Sequence, residues 1–146
     1  MWTRYAPQCC SLGQSVRVDA WVVLPDHMYF VVTLPVGDDD FSNRIKAIKI
    51  RFVRALPPIE RRSPSRVARG ERGIWRRRFW EHAIRDDTDY ARHIDYVHYN
   101  PVKHGHVQGV AQWPYSTFHR WVRAGVYRLD WGGEAAEEVR AGERSG

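Results

Sequence analysis

The chain of 146 residues contains only two cysteines, Cys9 and Cys10, and they are adjacent. Vicinal cysteines rarely pair with each other, and no others remain for a disulfide framework or a thiolate metal site. A reducing compartment fits that usage. No apolar run is long enough to span a bilayer, and the N-terminus shows no secretory pattern. The expected location is therefore cytoplasmic. Internal repeats are also missing. Acidic residues are in deficit: 17 Asp and Glu against 23 Lys and Arg leave a net charge of +6. Such an excess favours a polyanionic partner, nucleic acid first, with a merely solubilising surface as the alternative.

What is present belongs to a folded protein. The length suits one domain, and 43% hydrophobic residues with Trp 7, Tyr 7 and Phe 5 argue against disorder. This is more aromatic surface than so small a core needs, which places some rings near the outside.

Residues Met1 to Gln14 show no clear period, so 1–15 reads as an irregular N-terminus. Val16, Val18, Ala20, Val22 and Leu24 alternate with other residues, as a strand requires. Pro25-Asp26 marks a turn, and Met28 to Leu34 reads as a second strand that closes a hairpin. On that strand His27, Tyr29 and Val31 share one face. Ser42 is a plausible cap for a helix to about Leu56, with Ile45, Ile48, Phe52 and Leu56 as its core face and Pro57-Pro58 ending it. Glu60 to Gly73 reads as a mobile basic loop, and Ile74 to Ile84 as a strand. Asp86, Asp87 and Thr88 begin a helix through Asn100 that Pro101 terminates. A last helix is expected over Ser116 to Ala124, then an extended aromatic segment from Val126 to Trp131 and a disordered tail over 132–146. Residues 16–131 form the domain.

Several residues point to chemistry. Tyr96 and Asn100 are four apart, on one face of the same helix as His93. A phenol has a free pKa near 10 and needs help to attack phosphorus at neutral pH. A metal ion on the scissile phosphate supplies such help by withdrawing charge. His27 at the strand edge and the Asn100 amide oxygen form a mixed donor set that suits Mg²⁺ or Mn²⁺ rather than structural zinc. Taken singly, a helical tyrosine or a lone histidine is more often structural. His104-Gly105-His106 is a further His-x-His pair, but it falls in a glycine turn without supporting carboxylates and reads as loop. Arg76, Arg77 and Arg78 lie among Trp75, Phe79 and Trp80, combining phosphate-binding charge with rings on which bases can stack. A solvated strand face with an apolar underside is the plainer account of that block.

The blocks AWVVLPDHMYF, TLPVGDDDFSNR, GIWRRRFWEHAIRD, DYVHYNPVKHG, WPYSTFHR and GVYRLDWGG resemble the REP-associated tyrosine transposases, over roughly Asp19 to Trp131. The resemblance implies an α+β fold, a ferredoxin-like antiparallel sheet with helices on one face. It also implies binding and cleavage of single-stranded DNA next to palindromic hairpins, by a monomer or homodimer. Members hold a divalent metal, Mg²⁺ or Mn²⁺, through two histidines flanking a bulky residue. That motif here reads His27-Met28-Tyr29. Tyr96 matches the nucleophile, leaving a 5′-phosphotyrosine and a free 3′-hydroxyl, and Asn100 matches the amide one turn later. Arg44, Lys49, Arg76, Arg77, Arg78, Lys103 and Trp131 would hold the DNA.

Two departures stand out. Tyr29 replaces one metal imidazole, so metal affinity and cleavage should fall. Relatives place a strand and a helix before AWVVL, and the irregular start cannot supply both; a degenerate or truncated copy, or a misassigned start, is expected. Three readings follow: an impaired DNA-cleaving transposase homologue, a non-catalytic DNA-hairpin-binding relic, and a metal phosphodiesterase using water.

Overall fold

The computed structural model describes residues 2–5, 16–76 and 79–132. The expected tail beyond Gly132, Cys9, Cys10 and the segment expected to lack a first helix lie outside these residues. The described chain is α+β and separates into two units, one formed by residues up to Val36 together with those from Glu81 onward, the other by Gly37–Trp80.

In the first unit, strands β2 (Arg17–Val23) and β3 (Met28–Leu34) form the expected antiparallel hairpin, with Val22 opposite Tyr29 and Val23 opposite Met28. The alternation that marked β2 is interrupted at Asp19, where the register shifts between Val18 and Ala20. Asp19 is buried there and accepts hydrogen bonds from Thr33 Oγ1 at 2.5 Å and Arg17 Nε at 2.6 Å. A short strand β1 (Trp2–Tyr5) lies between β3 and β4 (His82–Ala83) and is parallel to both. Part of the stretch read as an irregular N-terminus is thus a strand, in the interior position where a first strand was expected to be missing. It also makes the sheet mixed in sense rather than wholly antiparallel.

Of the strand expected over Ile74 to Ile84, the described residues show His82–Ala83, which pair with β1. Arg77 and Arg78 are outside the described residues. Helix α3 (Asp87–Lys103) begins at Asp86, whose carboxylate accepts the Asp89 N–H at 2.8 Å. It packs Ile94, Tyr96 and Val97 against Ala20, Val22, Leu24, Val31 and Ile84, and this cluster is the core. Contrary to the expectation, α3 does not stop at Asn100 but runs through Pro101. A proline costs one hydrogen bond, and here the loss falls in the last turn. The ladder resumes with His104 N–H on the Asn100 carbonyl at 3.0 Å. Gly105, at φ 72°, then turns the chain in the left-handed conformation that glycine adopts without strain.

Beyond α3, Tyr115 to Thr117 runs along the outer edge of β2, with Val22 bridged to Ser116 and Val23 N–H on the Tyr115 carbonyl at 2.9 Å. The edge is thereby paired rather than left open. The last helix, α4 (Phe118–Arg123), is shorter at both ends than expected, and at its start Thr117 is spent on β2.

In the second unit, α1 (Phe41–Ala55) starts from Asp40 rather than Ser42. Ile45 is buried, but Ile48, Phe52 and Leu56, read as core, are exposed. A short helix α2 (Pro64–Ala68) interrupts the stretch expected to be a loop. Arg72 closes the C-terminal end of α1, donating to the carbonyls of Leu56 at 2.9 Å and Pro57 at 2.8 Å, and pairs with Glu60. The Arg72 hydrogen bond pulls the Glu60 carboxyl down to about 2. No helix of the described residues is long and apolar enough to cross a membrane.

Candidate active site

The start of β3 faces the C-terminal half of α3. The alternation of β3 sends His27 and Tyr29 to the same side, with ring centroids 5.1 Å apart. The helical period stacks Tyr96, Asn100 and His104 one turn apart. The two series meet at their ends: Tyr29 lies edge-on to Tyr96 at 5.6 Å, and His27 to His104 at 4.9 Å. Asn100 sits on the helix between those two contacts.

Tyr96 and Asn100 are both fully buried. The Tyr96 hydroxyl accepts a hydrogen bond from Lys103 Nζ, which also lies 4.3 Å from the centre of the Tyr96 ring. Lys103, expected to contact DNA, also bears on the phenol. The i, i+7 spacing, two turns along one face, was the signal that could have revealed this.

Two polar atoms in this cluster are shielded from solvent and have no hydrogen-bond partner: His27 Nε2 and Asn100 Oδ1. Both are metal-donor atoms. The other His27 nitrogen, Nδ1, is 2.6 Å from the Asp26 carboxylate, an arrangement that fixes the ring and directs Nε2 inward. The His27 hydrogen bond holds the Asp26 carboxyl below its usual range. The Asn100 amide nitrogen donates to the Tyr96 carbonyl at 2.8 Å, which leaves the oxygen as the unused end. Desolvation, with His27, Lys103 and His106 nearby, pushes the His104 imidazole below its ordinary pKa. The shift favours the neutral imidazole, the form that can donate a lone pair to a cation.

A second group could hold an ion: His82, Asp89 and His93, whose donor atoms lie within 4.8 Å of one another. Its bonds are those of a structural cluster. Asp89 accepts from Arg85 N–H and from His82 Nε2, each at 3.0 Å, and His93 Nδ1 donates to the Asp89 carbonyl at 2.7 Å. Desolvation holds His93 below its ordinary pKa; Asp89 is held low despite desolvation by the Arg85 and His82 bonds.

The remaining expected DNA contacts fall in both units. Within the second unit, Arg44 is paired with Asp38, and Lys49 donates to the Arg76 carbonyl at 3.0 Å while lying 5.3 Å from the Phe79 ring. Desolvation lowers the Lys49 pKa. Arg76 is exposed. Trp131 does not extend into solvent as a free aromatic tail: it folds back, half-buried, with its ring 4.6 Å from Tyr127 and 6.1 Å from Phe118.

No family model matches the chain. It is 50% identical over 128 residues to a REP-associated tyrosine transposase of Escherichia coli, covering 88% of this chain and 69% of that one. It is 53% identical over 119 residues to a putative REP-associated tyrosine transposase of Haemophilus influenzae, covering 81% and 68%. Among solved structures it resembles a REP-associated tyrosine transposase bound to a REP hairpin, with TM-score 0.68 and 48% identity over 84% of this chain and 66% of that one. By these likenesses, the chain belongs to the REP-associated tyrosine transposases.

Proposed function

We propose that the chain cuts and rejoins single-stranded DNA beside palindromic hairpins, through Tyr96 and a divalent ion, Mg²⁺ or Mn²⁺. The observation that carries this reading is the hydrogen bond from Lys103 to the Tyr96 hydroxyl. It pairs the family's nucleophile position with a cation able to stabilise phenolate character. The solved relative, bound to a REP hairpin, supports the hairpin as partner.

In the chemical step, the Tyr96 oxygen bonds to phosphorus as the bond from phosphorus to the 3′-oxygen breaks. The phenol loses its proton and the departing 3′-oxygen gains one, so one phosphodiester replaces another with no net proton change. A 5′-phosphotyrosine and a free 3′-hydroxyl result, and attack by a second strand's 3′-hydroxyl reverses the step. His27 Nε2 and Asn100 Oδ1 would hold the ion, with Asp26 orienting the His27 ring. When bound, the ion withdraws charge from the phosphate. Because Tyr96 is fully buried, DNA binding has to open a path past the Tyr29 side chain before a phosphate reaches the hydroxyl, with the Lys103 ammonium kept on the phenol oxygen. Arg44, Lys49, Arg76, Arg77 and Arg78 are proposed to hold the DNA backbone, with Trp131 a weaker candidate given its packing.

Tyr29, standing where the family has its second metal imidazole, favours a different reading, in which the chain binds hairpins without cutting them. A cleavage assay separates the two. A palindromic single-stranded hairpin is incubated with Mn²⁺ and either wild type or Tyr96→Phe. A covalent protein–DNA adduct in wild type alone supports cleavage. Hairpin binding without an adduct moves the chain to the binding class. Cutting that persists in Tyr96→Phe points to water as the nucleophile.

A further inference from the structure

We propose that His104 supplies the metal imidazole that Tyr29 lacks, so that the ion is held by His27 Nε2, the Asn100 amide oxygen and the His104 ring. This rests on the metal-dependent reading above and says which residues of this chain make it workable.

With a metal–nitrogen bond of about 2.1 Å, as for zinc, two imidazoles that meet at one ion at about 90–110° have centroids about 4.5–5.2 Å apart and cannot be stacked face to face. The His27 and His104 rings are 4.9 Å apart and cross at 72°. The His82 and His93 rings, 4.8 Å apart, are stacked at 17°, as rings sharing a carboxylate through hydrogen bonds can be. Crossing rings can converge on one point; stacked faces cannot.

The unpartnered atoms add a separate argument. A buried nitrogen and a buried carbonyl oxygen without partners each carry a desolvation cost. His27 Nε2 and Asn100 Oδ1 are two such atoms, and His104 is one helical turn from Asn100 and in ring contact with His27. A cation between them satisfies both. His104 is exposed, so its ring can adjust to the ion without disturbing the core. His106, two residues on, faces Trp113 at 5.4 Å instead and is left out of the set. Two imidazoles and one amide oxygen favour Mn²⁺ over Mg²⁺, which prefers an all-oxygen shell.

The test is Mn²⁺ binding to the full chain without DNA, followed by titration and by electron spin-echo modulation, which counts coordinated imidazole nitrogens. Wild type is expected to show two imidazoles. His104→Ala should show one, with affinity lower by at least about tenfold. His106→Ala and His82→Ala should match wild type; a nitrogen lost in His82→Ala would put the ion at the His82 cluster and overturn the proposal. Tyr29→His should restore a second imidazole to His104→Ala. A wild type that binds no Mn²⁺ or shows one imidazole, or a His104→Ala indistinguishable from it, overturns the proposal. The cleavage reading fails separately, if the adduct forms in Tyr96→Phe or without any divalent ion, whatever His104 does to Mn²⁺ binding.

Discussion

Lys103 reaches back two turns along α3 to donate to the Tyr96 hydroxyl, and the same ammonium lies 4.3 Å from the centre of the Tyr96 ring. One cation therefore bears on both the oxygen and the face of the phenol. Pro101, inside the turn between them, keeps the register because the helix runs through it. Had α3 ended at Asn100, Lys103 would lie in a loop and the pairing would not form.

Removing that charge tests its role. Lys103→Met keeps the side-chain length and apolar stem, so the core around Tyr96 should hold. Adduct formation on a hairpin with Mn²⁺ is expected to slow by about 10²-fold, in the range for losing one charge-stabilising donor. Mn²⁺ affinity should not fall, since a neighbouring positive charge is removed, and Lys103→Arg should recover part of the rate. An unchanged rate in Lys103→Met would leave Lys103 as packing alone.

His98 gives a pH signature. It is fully buried among Phe118, Trp121 and Tyr127, and burial, aided by Arg120, lowers its pKa to about 3. The folded state holds it neutral, whereas the unfolded chain takes up a proton near pH 6.5. Between about 6.5 and 3 the unfolded state thus binds more protons, and stability falls as pH falls, by about 1.4 kcal/mol per pH unit from this residue. Above 6.5 it contributes no slope. Denaturant unfolding from pH 7 to 4 should show this limb, and His98→Gln should flatten it. His93 and His104, both lowered by desolvation, add to the limb in wild type and remain in the variant.

The parts of the fold legible in the sequence are those set by local rules. Alternation located the β2–β3 hairpin, Asp86 located the start of α3, and the spacing of Tyr96 and Asn100 put them on one face. The parts missed depend on partners far along the chain. Trp75 to Ile84 has the aromatic content of a strand, but a strand needs an open edge, and among the described residues only His82 and Ala83 find one in β1. Ile48 and Phe52 have core spacing yet stay exposed, because period alone does not say what covers a helix. His104 read as loop because nothing within the turn shows that His27, 77 positions earlier by sequence number, lies against it.

Thr117 ties the C-terminal segment to β2 through one hydroxyl, which lies 2.9 Å from the Trp21 N–H and 2.9 Å from His98 Nε2. Thr117→Val keeps the shape and removes both partners at once. An unpartnered buried group costs about 1–3 kcal/mol, so a loss of about 2 kcal/mol or more in unfolding free energy is expected. A double variant with His98→Gln should lose less than the sum of the two single losses, since both remove the same contact. Strict additivity in the cycle would show that the two side chains do not share it.

Hairpin binding should weaken steeply with salt, because each phosphate neutralised by Lys or Arg releases counterions, at a slope of about 0.7 per contact on single strands. The arginines should not contribute equally. Arg44 is already paired with Asp38, so its charge is partly spent within the protein, whereas Arg76 is exposed. Arg76→Ala should therefore lower both affinity and the salt slope by about one contact, and Arg44→Ala by less. Asp38→Asn releases Arg44 and should raise affinity. Fluorescence anisotropy on a labelled hairpin from about 50 to 200 mM salt resolves these differences. A slope unmoved by Arg76→Ala would take this segment out of the DNA-binding surface, while equal losses at Arg44 and Arg76 would mean that DNA displaces Asp38 at no cost.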